Sequence, residues 1–125
     1  MPNIVLIMQR KAIAQGLMIR LRDSPDINLI YEPDYNNADM AINSTNAKAA
    51  LIEVAESGPY DVGYCLELCK KLRENKPECK LILMCSEQEE NCVKQVVDAK
   101  GDKLIDDFVF YDVTIDYLAS KLMSV

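Results

Sequence analysis

The apolar positions along this chain change period repeatedly. Ile4-Val5-Leu6-Ile7-Met8 is an unbroken apolar run of strand length, the pattern of a strand buried on both faces. Ile13, Leu17 and Leu21 then recur at i, i+4 and i+8, one face of a helix over 11–21, with Gly16 and Arg20 alongside. Asp23-Ser24-Pro25-Asp26 stops it, because proline and the residue before it resist helix. A second strand is expected over 27–31, closed by Glu32-Pro33-Asp34, and Ala38, Ala41, Ile42 and Thr45 trace a short helical stripe. Residues 49–55 (Ala-Ala-Leu-Ile-Glu-Val-Ala) read as a third strand, and 56–60 as a loop. Asp61 is the expected N-cap of the next helix.

Val62, Cys65, Leu66, Cys69 and Leu72 mark that helix, which Asn75-Lys76-Pro77 ends. Residues 80–86 form a fourth strand. Cys92, Val93, Val96 and Val97 mark a fourth helix, with Gly101 as its cap. Residues 107–111 form a fifth strand, and Ile115, Leu118, Ala119 and Leu122 a closing amphipathic helix that begins near Asp112 or Thr114. Strands alternating with helices imply an α/β fold, a parallel sheet with helices on both faces. With right-handed crossovers the expected arrangement is a single-domain doubly wound five-stranded sheet, order 2-1-3-4-5, spanning residues 1–125.

Composition narrows the function classes. Of the 125 residues 50% are hydrophobic and 27% charged, enough for a core and too structured for a disordered chain. The net charge of −6, from 14 Lys+Arg against 20 Asp+Glu, repels phosphate backbones and anionic headgroups, so neither nucleic acid nor membrane is expected as a partner. No apolar run approaches the roughly 20 residues of a membrane span, and no leader pattern opens the chain. A cytoplasmic setting with reduced thiols is therefore the expectation for the five cysteines, Cys65, Cys69, Cys79, Cys85 and Cys92. There is no histidine, which removes the commonest general base and zinc ligand. Cys65 and Cys69 lack partners for a metal site and are read as core. Asp98, Asp102, Asp106 and Asp107 are read as a solvated acidic edge.

Ligands of such a sheet bind beyond the carboxyl ends of the strands. That places Met8-Gln9-Arg10, residues 53–57, Cys85-Ser86-Glu87 and Tyr111-Asp112 around one site. Neither G-x-G-x-x-G nor G-x-x-x-x-G-K occurs, so dinucleotide and P-loop functions are not expected. The opening Asn3-Ile4-Val5-Leu6-Ile7-Met8, the run Leu66-Glu67-Leu68-Cys69-Lys70-Lys71-Leu72-Arg73, the strand Lys80–Ser86 and the exit Asp112-Val113-Thr114 together resemble the response-regulator receiver domain of two-component signalling, a flavodoxin-like fold.

That resemblance implies a site with two acids after the first strand to hold Mg²⁺ and a phosphoacceptor aspartate ending the third. A hydroxyl after the fourth strand and a lysine after the fifth complete it. The acid pair falls on Met8 and Gln9, the acceptor on Glu53, the switch hydroxyl on Ser86 and the lysine on Tyr111. A thioether and an amide are poor ligands for a hard cation, so Mg²⁺ binding is expected to be lost and no cofactor is expected. Arg10 puts a positive charge beside the metal place. The expectation is a pseudo-receiver, not an enzyme, that binds a protein partner or a second copy of itself through the fourth helix, fifth strand and last helix. Two alternatives stay open: a receiver phosphorylated on a displaced carboxylate (Asp61, or the Glu56–Ser57 region of a long loop), and a small α/β enzyme using Cys85 or Ser86. Tyr111 is expected over the pocket mouth with its hydroxyl in water, and Tyr60 and Tyr64 either as interface anchors or as cover for the third helix.

Overall fold

The structure, a computed structural model, describes residues 2–125. Strands β1 (Asn3–Ile7), β2 (Asn28–Glu32), β3 (Ala49–Glu53), β4 (Lys80–Cys85) and β5 (Asp107–Phe110) form one parallel sheet in the order β2-β1-β3-β4-β5. Helices α1 (Lys11–Arg20), α2 (Ala38–Thr45), α3 (Val62–Asn75), α4 (Glu90–Gly101) and α5 (Ile115–Met123) connect and follow them, and a short 3₁₀ turn, Tyr35–Asn37, precedes α2. This is the doubly wound α/β arrangement expected from the alternation of periods.

Side chains alternate across each strand, so the sheet feeds two cores. Val5, Ile7, Ala50, Ile52, Leu81, Leu83 and Cys85 pack with Ile42, Cys65, Cys69, Leu72 and Val96, the layer of α2, α3 and α4. Ile4, Leu6, Met8, Ala49, Leu51, Ile82, Met84 and Val109 pack with Leu17, Leu118 and Leu122, the layer of α1 and α5. β3 is buried at every position because it lies between two strands and two helical layers. α1 and α5 close on each other at Gly16, where a Cβ would stand 3.2 Å from Ile115 Cδ1, and Arg20 pairs with Asp116 at 2.8 Å beside that contact.

Several boundaries differ from the sequence expectation for local reasons. β3 stops at Glu53 because the Ala55 N–H turns to bond the Tyr60 carbonyl at 2.8 Å, closing the following loop on itself. β2 starts at Asn28, whose N–H bonds the Pro2 carbonyl, and leaves Ile27 to plug the α1/α5 core. Asp61 and Thr114 are the N-caps of α3 and α5, each accepting a hydrogen bond at 3.0 Å, from the amides of Tyr64 and Tyr117. Gly101 is not the cap of α4: it is the last helical residue, and Lys103 takes the left-handed conformation at φ 63°. That turn lets the Leu104 N–H reach the Ala99 carbonyl at 2.9 Å and buries Ile105. Val97 also departs from the expected apolar stripe, being 47% exposed while Val96 and Ala99 face inward.

Asp106 and Asp107 are not a solvated acidic edge. Asp106 Oδ2 accepts from Arg73 Nη2 and from the Leu81 amide, both at 2.8 Å, while Arg73 also donates to the carbonyls of Leu104, Pro77 and Cys79. Asp107 pairs with Lys121 and Lys100 across α5 and α4. Partial burial pushes each carboxyl up. Hydrogen bonds from Arg73 and the Leu81 amide, and from Lys121, the Phe108 amide and Lys100, outweigh it and hold both below the usual carboxylate range. A depressed folded-state pKa gives stability that is present above the unfolded value near ~4 and is lost as pH falls through the folded one. Replacing both with asparagine should therefore cost about 1–2 kcal/mol at neutral pH. In urea unfolding, that variant should also show a shallower loss of stability than wild type on acidification below pH ~4.

Candidate functional site

Glu53 ends β3 at the carboxyl edge of the sheet and is 2% exposed. A carboxylate buried this deeply needs donors for both oxygens. Its Oε1 accepts the backbone N–H groups of Gln9 at 2.7 Å and Arg10 at 3.0 Å, the amides of the β1–α1 turn. Its Oε2 lies 3.0 Å from Arg10 Nε. The position just before α1 adds the favourable end of that helix dipole. Arg10 is the centre of the arrangement: its guanidinium also faces Glu56 Oε1 at 3.7 Å and lies over the Tyr111 ring, 4.2 Å from the centroid.

The backbone of Glu53 is held equally firmly. The Tyr35 hydroxyl donates to the Glu53 carbonyl at 2.5 Å, and the Cys65 thiol approaches the same oxygen at 3.7 Å. Tyr35 is buried and stacks on Tyr60, with centroids 4.1 Å apart and planes within 3°. Tyr60 meets Tyr64 edge-on at 5.0 Å, and the Tyr64 hydroxyl donates to Asn36 Oδ1 at 3.1 Å. Tyr60 and Tyr64 thus clamp the β3–α3 loop onto the 3₁₀ turn.

Two shallow grooves flank this cluster. One, of about 300 Å³, is lined by Arg10, Glu56, Ser86, Tyr111 and Asp112 among others; the other, of about 130 Å³, by Glu56, Asp61, Ser86 and Cys92. Ser86 is common to both. Its Oγ accepts the Gln88 N–H at 3.2 Å and makes no bond to Glu53.

The five positions singled out from the sequence are therefore unequally placed. Glu53, Ser86 and Tyr111 surround one edge, whereas Met8 is fully buried in the α1/α5 core and Gln9 reaches Glu53 through its backbone N–H. The residue that enters the site from the first turn is Arg10. Its charge was legible in the sequence, but its direction was not. Tyr111 does not keep its hydroxyl in water: the oxygen is buried and has no hydrogen-bond partner among the described residues. Desolvation, then the Glu53 charge, push the phenol up, and nearby Arg10 only partly opposes them. Burial likewise raises the Cys69 and Cys79 thiols, to about 12 and about 11. Among the described residues no group of three or more Cys, Asp or Glu is placed to hold a metal ion, and no helix is long and apolar enough to cross a membrane.

No protein-family model matches the sequence, and no curated protein matches it significantly. Solved structures do. A response regulator from Thermotoga maritima superposes with a TM-score of 0.78 at 15% identity, over 98% of this chain and 95% of that one. A two-component response regulator from Clostridium difficile gives 0.77 at 21%, over 99% and 94%. A CheY-like protein, TadZ, from Pseudomonas aeruginosa gives 0.73 at 15%, over 99% and 98%. The chain has the fold of response-regulator receiver domains, a five-stranded flavodoxin-like sheet in the order 2-1-3-4-5.

The orphaned phenol generates a test. Tyr111→Phe removes a desolvated hydroxyl that bonds no described residue, and should leave unfolding free energy unchanged or raise it by up to about 1 kcal/mol. Tyr111→Ala, which removes the ring beneath Arg10, should cost about 2–4 kcal/mol by urea denaturation.

Proposed function

We propose that the chain is a pseudo-receiver, a signalling module of the response-regulator type that binds a protein partner, or a second copy of itself, without phosphorylation. The observation that carries this reading is the Arg10–Glu53 ion pair. In a working receiver the acceptor carboxylate must be free to attack phosphorus, with a hard cation and an ammonium beside it to neutralise the phosphoryl oxygens. Here both carboxylate oxygens are engaged, Oε1 by two backbone amides and Oε2 by a guanidinium at 3.0 Å. Arg10 cannot ligate Mg²⁺ and would repel it. Tyr111, at the lysine place, brings no positive charge.

Glu53 is neutralised by Arg10, so it reads as a structural carboxylate and not as a free charge that imitates phosphorylation. The two enzymatic candidates lack a base. The Cys85 thiol is fully buried, and Ser86 accepts a hydrogen bond from a backbone amide. The face proposed for the partner is α4, β5 and α5. There Lys100, Asp107 and Lys121 form a continuous ion-paired band, with Tyr117 half exposed beside Lys121 and Val97 exposed on α4.

Incubation with acetyl phosphate and Mg²⁺ followed by intact-mass measurement tests the proposal. The expected spectrum is that of the unmodified chain, with no saturable Mg²⁺ binding at millimolar concentration. A stoichiometric phosphoryl adduct, mapped to Glu53, Glu56 or Asp61, would show that the module is a phosphorylatable receiver instead.

A further inference from the structure

The sheet ends in two edge strands, β2 and β5, and their outward backbone groups are treated differently. The Tyr111 N–H bonds the Cys85 carbonyl at 3.1 Å, so by alternation Val109 also faces β4 and the Phe108 amide points outward. That amide is taken by the Asp107 carboxylate at 2.9 Å, and Asp107 is itself held by Lys100 and Lys121, which closes the β5 edge. On β2 the Asn28 N–H bonds the Pro2 carbonyl at 2.8 Å. Asn28, Ile30 and Glu32 therefore face β1, and the amides and carbonyls of Leu29 and Tyr31 point outward. Among the described residues no hydrogen bond reaches these outward groups.

Beside this open edge, on the α1 side of the sheet, lies a groove of about 300 Å³ floored by Met18, Leu21, Ile27 and Leu29. Three of these, Leu21, Ile27 and Leu29, belong to the α1/α5 core layer, so the floor is fixed by the fold. Alternate side chains of a strand laid along β2 would enter that groove. The ends of the strand have the opposite character. Asp23 and Asp26 precede β2, Glu32 closes it and Asp34 follows, against Arg22 alone in the segment 22–34. The exposed Arg22–Asp23 pair, at 3.9 Å, neutralises little of this charge. Pro33, which has no N–H, limits any added ladder at the carboxyl end.

We propose that β2 takes up an extended segment of a partner protein as a sixth strand, a segment apolar at its centre and carrying Lys or Arg at both ends. Main-chain bonds to Leu29 and Tyr31 give affinity, the groove selects an apolar side chain, and the flanking carboxylates select the charge. The same carboxylates disfavour a second copy of this chain. Antiparallel self-pairing through Leu29 and Tyr31 centres on Ile30, and sets Asp26 against Asp34 and Asn28 against Glu32 of the second copy. Each end then gathers like charges. The site lies at the opposite edge of the sheet from the α4, β5 and α5 face and does not depend on the pseudo-receiver reading.

The test is amide NMR with hydrogen exchange on the folded protein, titrated with a synthetic peptide of alternating valine and threonine between paired lysines. The Leu29 and Tyr31 amides should shift and exchange more slowly as peptide is added, while the Phe108 amide stays unchanged. Replacing the peptide's lysines with glutamates, or reversing the protein's charges with Asp26→Lys and Glu32→Lys, should weaken binding about tenfold or more. N-methylating every peptide amide should abolish it. Protection of Leu29 and Tyr31 that grows with protein concentration in the absence of peptide would assign the edge to a second copy and overturn the proposal. So would equal binding of the glutamate peptide, shifts confined to α4, β5 and α5, or no shift at millimolar peptide. The comparison of peptide charges uses the unaltered protein and decides the matter even where the double variant fails to fold.

Discussion

A carboxylate buried at the edge of a parallel sheet must be matched with donors, or the fold bears the cost of an uncompensated charge, several kcal/mol even after relaxation. Glu53 meets that condition with two amides of the β1–α1 turn and the Arg10 guanidinium. The same match ties β3 to the exit of β1, and through Arg10 to Tyr111 beyond β5 and Glu56 in the β3–α3 loop. Three of the five strand exits are thereby joined through one side chain. The half-exposed Arg10 is worth more here than an exposed surface pair, because its partner cannot return to water when the pair breaks.

The tyrosine cluster extends this constraint to the second core. Tyr35 holds the Glu53 carbonyl from the α2 side while its ring stacks on Tyr60, so backbone and side chain of one residue are fixed from opposite layers. A loop long enough to wander is instead folded onto itself by the Ala55–Tyr60 hydrogen bond and capped by Asp61 where α3 begins. In a phosphorylatable receiver this edge has to stay open to metal and phosphoryl oxygens. Here it is filled from within by a guanidinium and aromatic rings, which is why we read the scaffold as kept for binding.

The alternation of strand-length apolar runs with helical stripes carried the architecture, because the two periods differ and a buried parallel strand shows up as an uninterrupted apolar run. Ile4–Met8, Ala49–Glu53 and Lys80–Cys85 are legible for that reason, and Asp61 and Thr114 are legible as caps because capping depends on a residue type at one local position. The left-handed turn at Lys103 was not, since Gly101 offered the conventional signal and the burial of Ile105 overrode it. Nor was the pairing of Asp106 and Asp107, whose cationic partners come from α3, α4 and α5.

At the site the division follows the same physics. Residue type alone determined that Glu53 is a carboxylate, that Tyr111 is no lysine and that Met8 is no metal ligand. Tertiary structure decided that Arg10 turns inward, that Met8 belongs to the core and that the Tyr111 hydroxyl is sealed off. It also decided that Ser86 bonds the Gln88 amide and not Glu53. Chemical identity is a property of one position, whereas direction, burial and partnership depend on groups distant in sequence that only the closed sheet brings within a few ångströms.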